Sequence, residues 1–173
     1  NKAWQTVSSK YLFRRPWLTV RCEDMLLPNG NHIPEYYILE YPDWVNMIAI
    51  TKEGKFVFVR QYRPGIGRTC YELCAGVCEK EDVSPLVSAQ RELWEETGYG
   101  NGNWQEYMVV SANPSTHTNL THCFLATDVE LIDHQHLEAT EDISVHLFTL
   151  EEVRTLLENN EIMQSLNAAP LWK

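Results

Sequence analysis

The sequence predicts an α+β fold, or a mixed β-sheet sandwiched between helices, and not a doubly wound sheet. Segments rich in β-branched and aromatic residues precede and follow one long amphipathic segment, and a second amphipathic segment comes near the end. The order is therefore strands, helix, strands, helix, without the regular alternation of a parallel sheet. At 173 residues, 44% of them hydrophobic, the chain suits one compact domain with a short extra element.

The beginning of the chain is predicted to be a strand-rich extension. Its three strand-like segments are residues 7–13, 18–25 and 33–41. The turn sequence at residues 28–31, Pro-Asn-Gly-Asn, marks a hairpin between the last two. We therefore expect an N-terminal unit over residues 1–41 and a main domain over residues 42–173.

The main domain is predicted to alternate strand pairs with two principal helices. A helix begins at Ser84, a good N-cap followed by proline, and ends at Gly98. Thr149 and Glu152 form a capping box that opens a second helix, and residues 161–169 form a last short one. The predicted strands are residues 45–51, 56–61, 71–73, 105–111, 121–129 and 143–149.

The charge and the cysteines argue against several classes of protein. With 24 acidic against 14 basic side chains, the net charge of −10 does not suit a nucleic-acid-binding surface. No apolar run approaches the roughly 20 residues that span a bilayer, and residues 1–10 lack a signal-peptide pattern. Five cysteines, an odd number, argue against a disulfide framework. We therefore expect a cytoplasmic protein that binds neither nucleic acid nor membrane.

Three acidic residues share one face of the first predicted helix. Glu92, Glu95 and Glu96 stand at i, i+3 and i+4, beside Arg91. Such a face is commonly only solvated, although like charges at these spacings repel by about 0.2–0.5 kcal/mol per pair. Converging carboxylates are also the ligands that Mg²⁺ prefers. The spacing favours a metal site without deciding for it.

The residues around this face resemble a known motif. Gly76 followed by residues 91–99, R-E-L-W-E-E-T-G-Y, resembles the Nudix box, G-x5-E-x7-R-E-U-x-E-E-x-G-U. The second half is complete, but the first half contains one extra residue, which leaves Asp82 as the stand-in for its first acid. The resemblance implies a Nudix-type α/β/α sandwich with a mixed sheet, preceded by the antiparallel strand-rich extension.

The resemblance extends over most of the chain. Residues 59–65, V-R-Q-Y-R-P-G, and 71–76, Y-E-L-C-A-G, are similar to the ADP-ribose pyrophosphatase branch, which usually reads E-L-P-A-G where Cys74 replaces the proline. That branch also tends to carry a proline about 15 residues after the box, the position of Pro114. The resemblance implies three substrate contacts, Arg63, Glu72 and Pro114. Arg63 would contact a phosphate or the base, and an ordinary charge at a strand end is an equally good interpretation of it.

The same resemblance implies a metal centre. Its main ligands would be the side chains of Glu92 and Glu96, with Glu95 assisting and the carbonyl of Ala75 as a further ligand, holding Mg²⁺ or, as a substitute, Mn²⁺. Arg91 would orient the acids through charge-assisted hydrogen bonds. The bound metal would polarise the pyrophosphate and activate a water, and Glu95 would assist directly or through water.

The general base stays open on the sequence. The branch often carries a glutamate in the loop that follows the proline, but residues 115–122 contain no acid. His117 in that loop is one candidate, because histidine titrates near neutrality, although most loop histidines have no special role. Glu138 and Glu141 are the others.

The expected function is Mg²⁺-dependent hydrolysis of the pyrophosphate bond in ADP-ribose or another nucleotide sugar, giving a nucleoside monophosphate and a sugar phosphate. The alternative is a catalytically silent Nudix module that binds a nucleotide sugar as a sensor. The N-terminal strands resemble the sheet through which this branch forms homodimers. Trp4, Tyr11 and Trp17 would contact the partner there or, equally, belong to the chain's own core.

Overall fold

The computed structural model describes residues 2–173, which divide into two compact units. The first unit contains residues 2–42 together with Ser111–Leu120. Its sheet is antiparallel, in the order β1 (Gln5–Arg15), β2 (Leu18–Leu26) and β3 (His32–Glu40). These strands confirm the predicted three-stranded extension. Leu39 exchanges backbone hydrogen bonds with Thr116 (2.8 Å) and Thr118 (3.1 Å), which ties the second segment to β3.

The outer strand of this sheet is exposed along its whole length. Every residue of β1 is exposed, including the apolar side chains of Val7 and Phe13. Trp17, in the β1–β2 turn, is 82% exposed, and Trp4 and Tyr11 are exposed as well. These aromatic side chains are therefore not part of a core formed by this chain alone.

The second unit, Asp43–Val110 and Thr121–Lys173, contains an eight-stranded mixed sheet. The central path runs β11-β5-β4-β10-β8, while β6 pairs with β5, β7 with β4 and β9 with β10. Only the β4–β10 pairing is parallel. The bounds are β4 (Trp44–Thr51), β5 (Phe56–Arg63), β6 (Arg68–Glu72), β7 (Cys74–Val77), β8 (Tyr99–Gly100), β9 (Asn103–Val110), β10 (Thr121–Leu131) and β11 (Ser144–Phe148).

Helices cover both faces of this sheet, because alternate residues of a strand point to opposite faces. Val45, Met47 and Ala49 of β4 pack with Ala89 and Leu93 of α1 (Pro85–Thr97). Ile48 of β4 packs on the other side with Phe58 and with Val153, Leu156 and Leu157 of α2 (Leu150–Glu158), beside α3 (Ser165–Trp172). The predicted α/β/α sandwich with a mixed sheet is confirmed.

The ends of the first two helices follow from local sequence. The Ser84 hydroxyl accepts a hydrogen bond from Val87 N, and Gly98 adopts φ 75° at the other end of α1. Thr149 and Glu152 form the predicted capping box of α2. No helix among residues 2–173 is long and apolar enough to cross a membrane.

Two element predictions differ from the structure. The short strand predicted at residues 71–73 is two strands, β6 and β7, with Leu73 between them. The last helix begins at Ser165 instead of residue 161, and it contains Pro170. The preceding segment is held otherwise, since Glu161 N donates to Leu156 O (2.9 Å) and the Ile162 side chain is buried in the core.

Candidate active site

Helix α1 brings two carboxylates against strand β7. The Glu96 side chain is only 5% exposed, and its Oε2 accepts a hydrogen bond from Ala75 N (3.2 Å). Burial, with the nearby charge of Glu92, raises the pKa of Glu96 to about 8. Burial also raises the pKa of Glu92 to about 7, against the opposing charge of Arg91. The acidic face of this helix is therefore not a solvated surface.

The missing side chain of Gly76 leaves the space that the carboxylate of Glu92 occupies. A Cβ at position 76 would lie 2.0 Å from Glu92 Cδ and closer than 2.5 Å to both carboxylate oxygens. No side chain larger than hydrogen fits between β7 and this carboxylate. Adjacent residues of one strand, Ala75 and Gly76, thus position Glu96 and Glu92 respectively.

Arg91 links the acidic residues of the site. Its Nη1 donates to Glu92 Oε1 (3.0 Å) and Glu95 Oε2 (2.9 Å), while its Nη2 donates to Val77 O (3.0 Å) and Asp82 Oδ2 (3.0 Å). A guanidinium can serve all four because its donors point outward in a fixed plane. Arg91 therefore contacts two of the three box glutamates, and the orienting role that the resemblance implies for it stays a prediction.

Asp82 acts on the site through Arg91. Besides the Arg91 bond, its Oδ2 accepts from Ser88 Oγ (2.7 Å) and Glu79 N (3.2 Å). The hydrogen bond from Arg91 is the main reason why the pKa of Asp82 is lowered. The next residue, Val83, is 88% exposed, so the extra residue of the motif is accommodated in a solvent-facing loop.

Arg63 and Glu72 form an ion pair across the β5–β6 ladder. Arg63 Nε donates to Glu72 Oε1 (2.9 Å) and Oε2 (3.1 Å), and Gln61 Nε2 also donates to Glu72 Oε2 (3.3 Å). The Glu72 carboxylate is 4% exposed, whereas 42% of the Arg63 side chain is exposed. The bond to Glu72 raises the pKa of Arg63, to which the charge of Glu96 also contributes. Glu72, predicted to contact substrate, thus lies buried and holds Arg63.

Two family models match this chain. The description "Nucleoside diphosphate sugar hydrolase N-terminal domain" matches residues 4–39, and "NUDIX domain" matches residues 41–168. The chain belongs to the Nudix family. The hydrolase family expected from the motif at residues 91–99 is confirmed.

The similar proteins extend over nearly the whole Nudix chain. An ADP-ribose pyrophosphatase of Bacillus subtilis is 31% identical over 95% of this chain and 88% of its own length. An ADP-ribose pyrophosphatase of Mycobacterium tuberculosis is 26% identical over 96% of this chain and 80% of its own. A crystal structure of an ADP compounds hydrolase superimposes with a TM-score of 0.85, covering 98% of this chain and 90% of that one at 20% identity. That likeness shows a shared fold.

A cavity of about 350 Å³ is lined by β7, the strand whose Ala75 and Gly76 adjoin the carboxylates of Glu96 and Glu92. Its lining includes Arg63 and Ala75, Gly76 and Val77 of β7. The rest of its lining is Trp44, Val45, Asn46, Thr121, Gln164, Leu166 and Asn167. Sequence reasoning missed this second set. Its one signal was Asn46, the only polar residue in the apolar run from position 44 to 50.

The candidate bases lie in different units. His117 belongs to the unit of the N-terminal strands, where its ring packs against Tyr41 (centroids 5.1 Å apart). The predicted substrate contact Pro114 belongs to the same unit. Glu138 and Glu141 belong to the unit of the Nudix helix, and Glu138 N donates to Glu141 Oε2 (2.9 Å). The charge of Glu141 contributes to the raised pKa of Glu96.

Proposed function

We propose that this Nudix chain hydrolyses the pyrophosphate bond of a nucleotide sugar, with ADP-ribose as the first candidate. The products would be a nucleoside monophosphate and a sugar phosphate. The observation that carries the proposal is the pair of carboxylates from α1, the buried Glu96 and the half-buried Glu92, which lie against β7 near a cavity that Arg63 lines. The names of its similar proteins and of the N-terminal family model favour this substrate class.

The donor set suits a divalent cation. The carboxylates of Glu92 and Glu96 lie near each other and both have a raised pKa, and a positive ion between them would keep both ionised. Mg²⁺, or Mn²⁺ in its place, would be held by Glu92, Glu95, Glu96 and the carbonyl of Ala75. Bound there, the ion would supply the charge that polarises the phosphoryl group and acidifies a water.

The chain's own residues would position the reactants and move the proton. Arg91 keeps Glu92 and Glu95 in place, and Arg63 offers its exposed guanidinium to the phosphate oxygens. Glu141 takes the proton of the attacking water, whose oxygen bonds to phosphorus while the bridging P–O bond breaks. The leaving phosphate oxygen carries the electron pair away. His117 is the alternative base.

The test is an activity panel with matched variants. The purified protein is incubated with Mg²⁺ and ADP-ribose, other nucleotide sugars and dinucleotides, and released phosphate is read after phosphatase treatment. Glu96→Gln should abolish turnover, and Glu141→Gln should lower kcat by roughly 10²–10⁴-fold, the range for loss of a general base. Glu158→Gln, an exposed acid at the end of α2, is the control. Unchanged turnover in Glu96→Gln would refute the proposal, and tight binding without turnover would favour the sensor.

We also propose that the chain is a cytoplasmic homodimer joined through its N-terminal sheet. The exposed apolar side chains of β1 and Trp17 need a covering surface, and the five free thiols suit a reducing compartment. The double variant Phe13→Arg/Trp17→Arg should be monomeric by light scattering. Trp172→Arg, at a 63% exposed tryptophan of α3, should leave the assembly unchanged. A monomeric native chain would contradict this proposal.

A further inference from the structure

The cavity that β7 lines contains three fully buried polar side chains with unpaired atoms. Asn46, Thr121 and Asn167 are 1%, 2% and 0% exposed, and all three line the cavity. Asn46 Oδ1, Thr121 Oγ1 and both polar atoms of the Asn167 amide have no hydrogen-bond partner. Buried polar groups are normally paired, and leaving them unpaired costs folding free energy. Their concentration in one cavity therefore indicates a bound group that completes them.

The Asn46 amide is fixed in one orientation. Its Nδ2 donates to Leu166 O (2.7 Å). In α3 this carbonyl would normally accept the i→i−4 hydrogen bond from residue 170, but Pro170 has no N–H to donate. A carbonyl accepts only a donor, so the nitrogen must point to α3. Asn46 Oδ1 is left as an acceptor of defined position.

The three side chains approach the cavity from two sides. Thr121 and Asn46 belong to neighbouring strands of the parallel β4–β10 pair, where Thr121 stands opposite Trp44, two residues before Asn46. Because strand side chains alternate with period two, Thr121 and Asn46 lie on the same face. Asn167 belongs to α3, which packs against β4. The group between them would meet donors and acceptors from the sheet and from the helix.

The chemistry of these side chains indicates a neutral, hydroxyl-rich ligand. None of the three carries charge, and the cationic side chain that lines the cavity is Arg63. A sugar hydroxyl both donates and accepts, and hydroxyls project from a ring in several directions, as this arrangement requires. A nucleobase offers its hydrogen bonds only in the plane of its edge. The volume of about 350 Å³ is at the small end of ligand cavities and suits one ring.

We infer that Asn46, Thr121 and Asn167 bind the hydroxyls of the sugar half of the substrate, with the pyrophosphate beside Arg63 and Gly76. This inference rests on the proposed function, because it assumes that the ligand is a nucleotide sugar. The cavity then decides which sugar is accepted. A site built to pair hydroxyls rejects analogues that lack them, because its buried polar atoms would stay unpaired.

The test compares two ligands that differ only by the sugar. Calorimetry measures the binding of ADP-ribose and of ADP, with Ca²⁺ present as an oxygen-binding cation in place of Mg²⁺. Thr121→Val and Asn167→Leu remove the unpaired atoms while keeping the approximate shape. Each should weaken ADP-ribose binding about three- to tenfold, the effect of one neutral hydrogen bond, and leave ADP binding unchanged. Thr155→Val, at an exposed position of α2, controls for the substitution itself and should change neither.

The outcomes separate this inference from the proposed function. Equal weakening of ADP-ribose and ADP would overturn the inference, since the cavity would then hold the nucleoside half. If the variants bound both ligands as the native protein does, the inference would also be overturned, because solvent alone would then fill the cavity. It would likewise be overturned if the native protein did not bind ADP-ribose. Selective loss of ADP-ribose binding would support it even if hydrolysis with Mg²⁺ were absent. In that case only the proposed hydrolysis would fail. Unfolding temperatures of the variants exclude misfolding as the cause.

Discussion

The carboxylate of Glu92 occupies the space where any side chain at Gly76 would begin. The distance from a built Cβ to Glu92 Cδ is 2.0 Å, far below van der Waals contact. Because the obstructing atoms are the flexible end of a glutamate, an added methyl group would displace the carboxylate before it displaced the strand. The glycine of the Nudix motif therefore has a role in this chain that concerns the site more than the fold.

We accordingly expect Gly76→Ala to reduce activity with little loss of stability. Displacing Glu92 by about 1 Å should lower kcat/KM about 10²-fold, the effect of misplacing a catalytic group by that distance. Nucleotide-sugar hydrolysis and thermal unfolding are measured on the same preparation. Gly65→Ala is the matched control, since nothing lies within 4 Å of its added Cβ. A large drop in unfolding temperature with normal activity would contradict this account.

Asp82 should prove to be a positioning residue. Its Oδ2 serves both Arg91 and the fully buried Ser88 hydroxyl, so Asp82→Ala removes an acceptor from each. We expect a loss of about 1–3 kcal/mol in urea unfolding, because the buried Ser88 hydroxyl loses its 2.7 Å hydrogen bond to the Asp82 carboxylate. Activity should fall less than in Glu96→Gln.

Asp82→Asn keeps an acceptor oxygen and should recover much of that stability. Val83→Ala, at an 88% exposed position next to it, should be neutral. If Asp82→Asn behaved as Asp82→Ala does, the charge of Asp82 and not its acceptor role would carry the effect.

The metal-free protein should lose stability as pH rises from about 5 to about 8. Folding raises the pKa of Glu92 to about 7 and of Glu96 to about 8 from 4.5, so the folded state binds more protons than the unfolded state in this window. The stabilisation is complete below the unfolded pKa and is lost as pH rises through the folded values. Urea unfolding in EDTA at several pH values measures the slope.

Glu96→Gln isolates the contribution of one carboxyl to that slope. The variant cannot ionise at this position, so its unfolding free energy should depend less on pH between 5 and 8. Adding Mg²⁺ to the native protein should also flatten the dependence, because a bound cation favours the ionised carboxylates. Identical slopes for the native chain and the variant would show that Glu96 titrates normally.

The parts of this structure that local sequence determines were predictable. Helix α1 begins and ends where Ser84, Pro85 and Gly98 require it, and its carboxylates follow from helical spacing. The last helix was misplaced, because burial of Ile162 holds the preceding segment out of it and Pro170 is tolerated inside it. Neither effect can be predicted from the residues that adjoin Ile162 and Pro170 in the sequence.

The cavity side chains show why other features could not be predicted. Asn46 and Leu166 are 120 positions apart and meet only because α3 packs on β4. No periodicity or motif connects residues at such a separation, whereas the box residues are brought together by a single helix and one adjoining strand. The cluster of carboxylates on α1 could therefore be predicted from the sequence, whereas the side chains that line the cavity could be identified only in the folded structure.

The Asn46–Leu166 hydrogen bond should be energetically coupled to Pro170. Asn46→Ala leaves the buried Leu166 carbonyl without its side-chain donor, and we expect a loss of about 1–3 kcal/mol in urea unfolding. Pro170→Ala restores the N–H that an α-helix directs to this carbonyl. The double variant should therefore lose less stability than the two single changes together, with a coupling of about 0.5–1.5 kcal/mol. In this double-mutant cycle the energetic cost of the cavity left by Asn46→Ala cancels, because that substitution is made both with and without Pro170→Ala. Additive losses would mean that Leu166 O finds another donor and that Asn46 is not held in place by the proline.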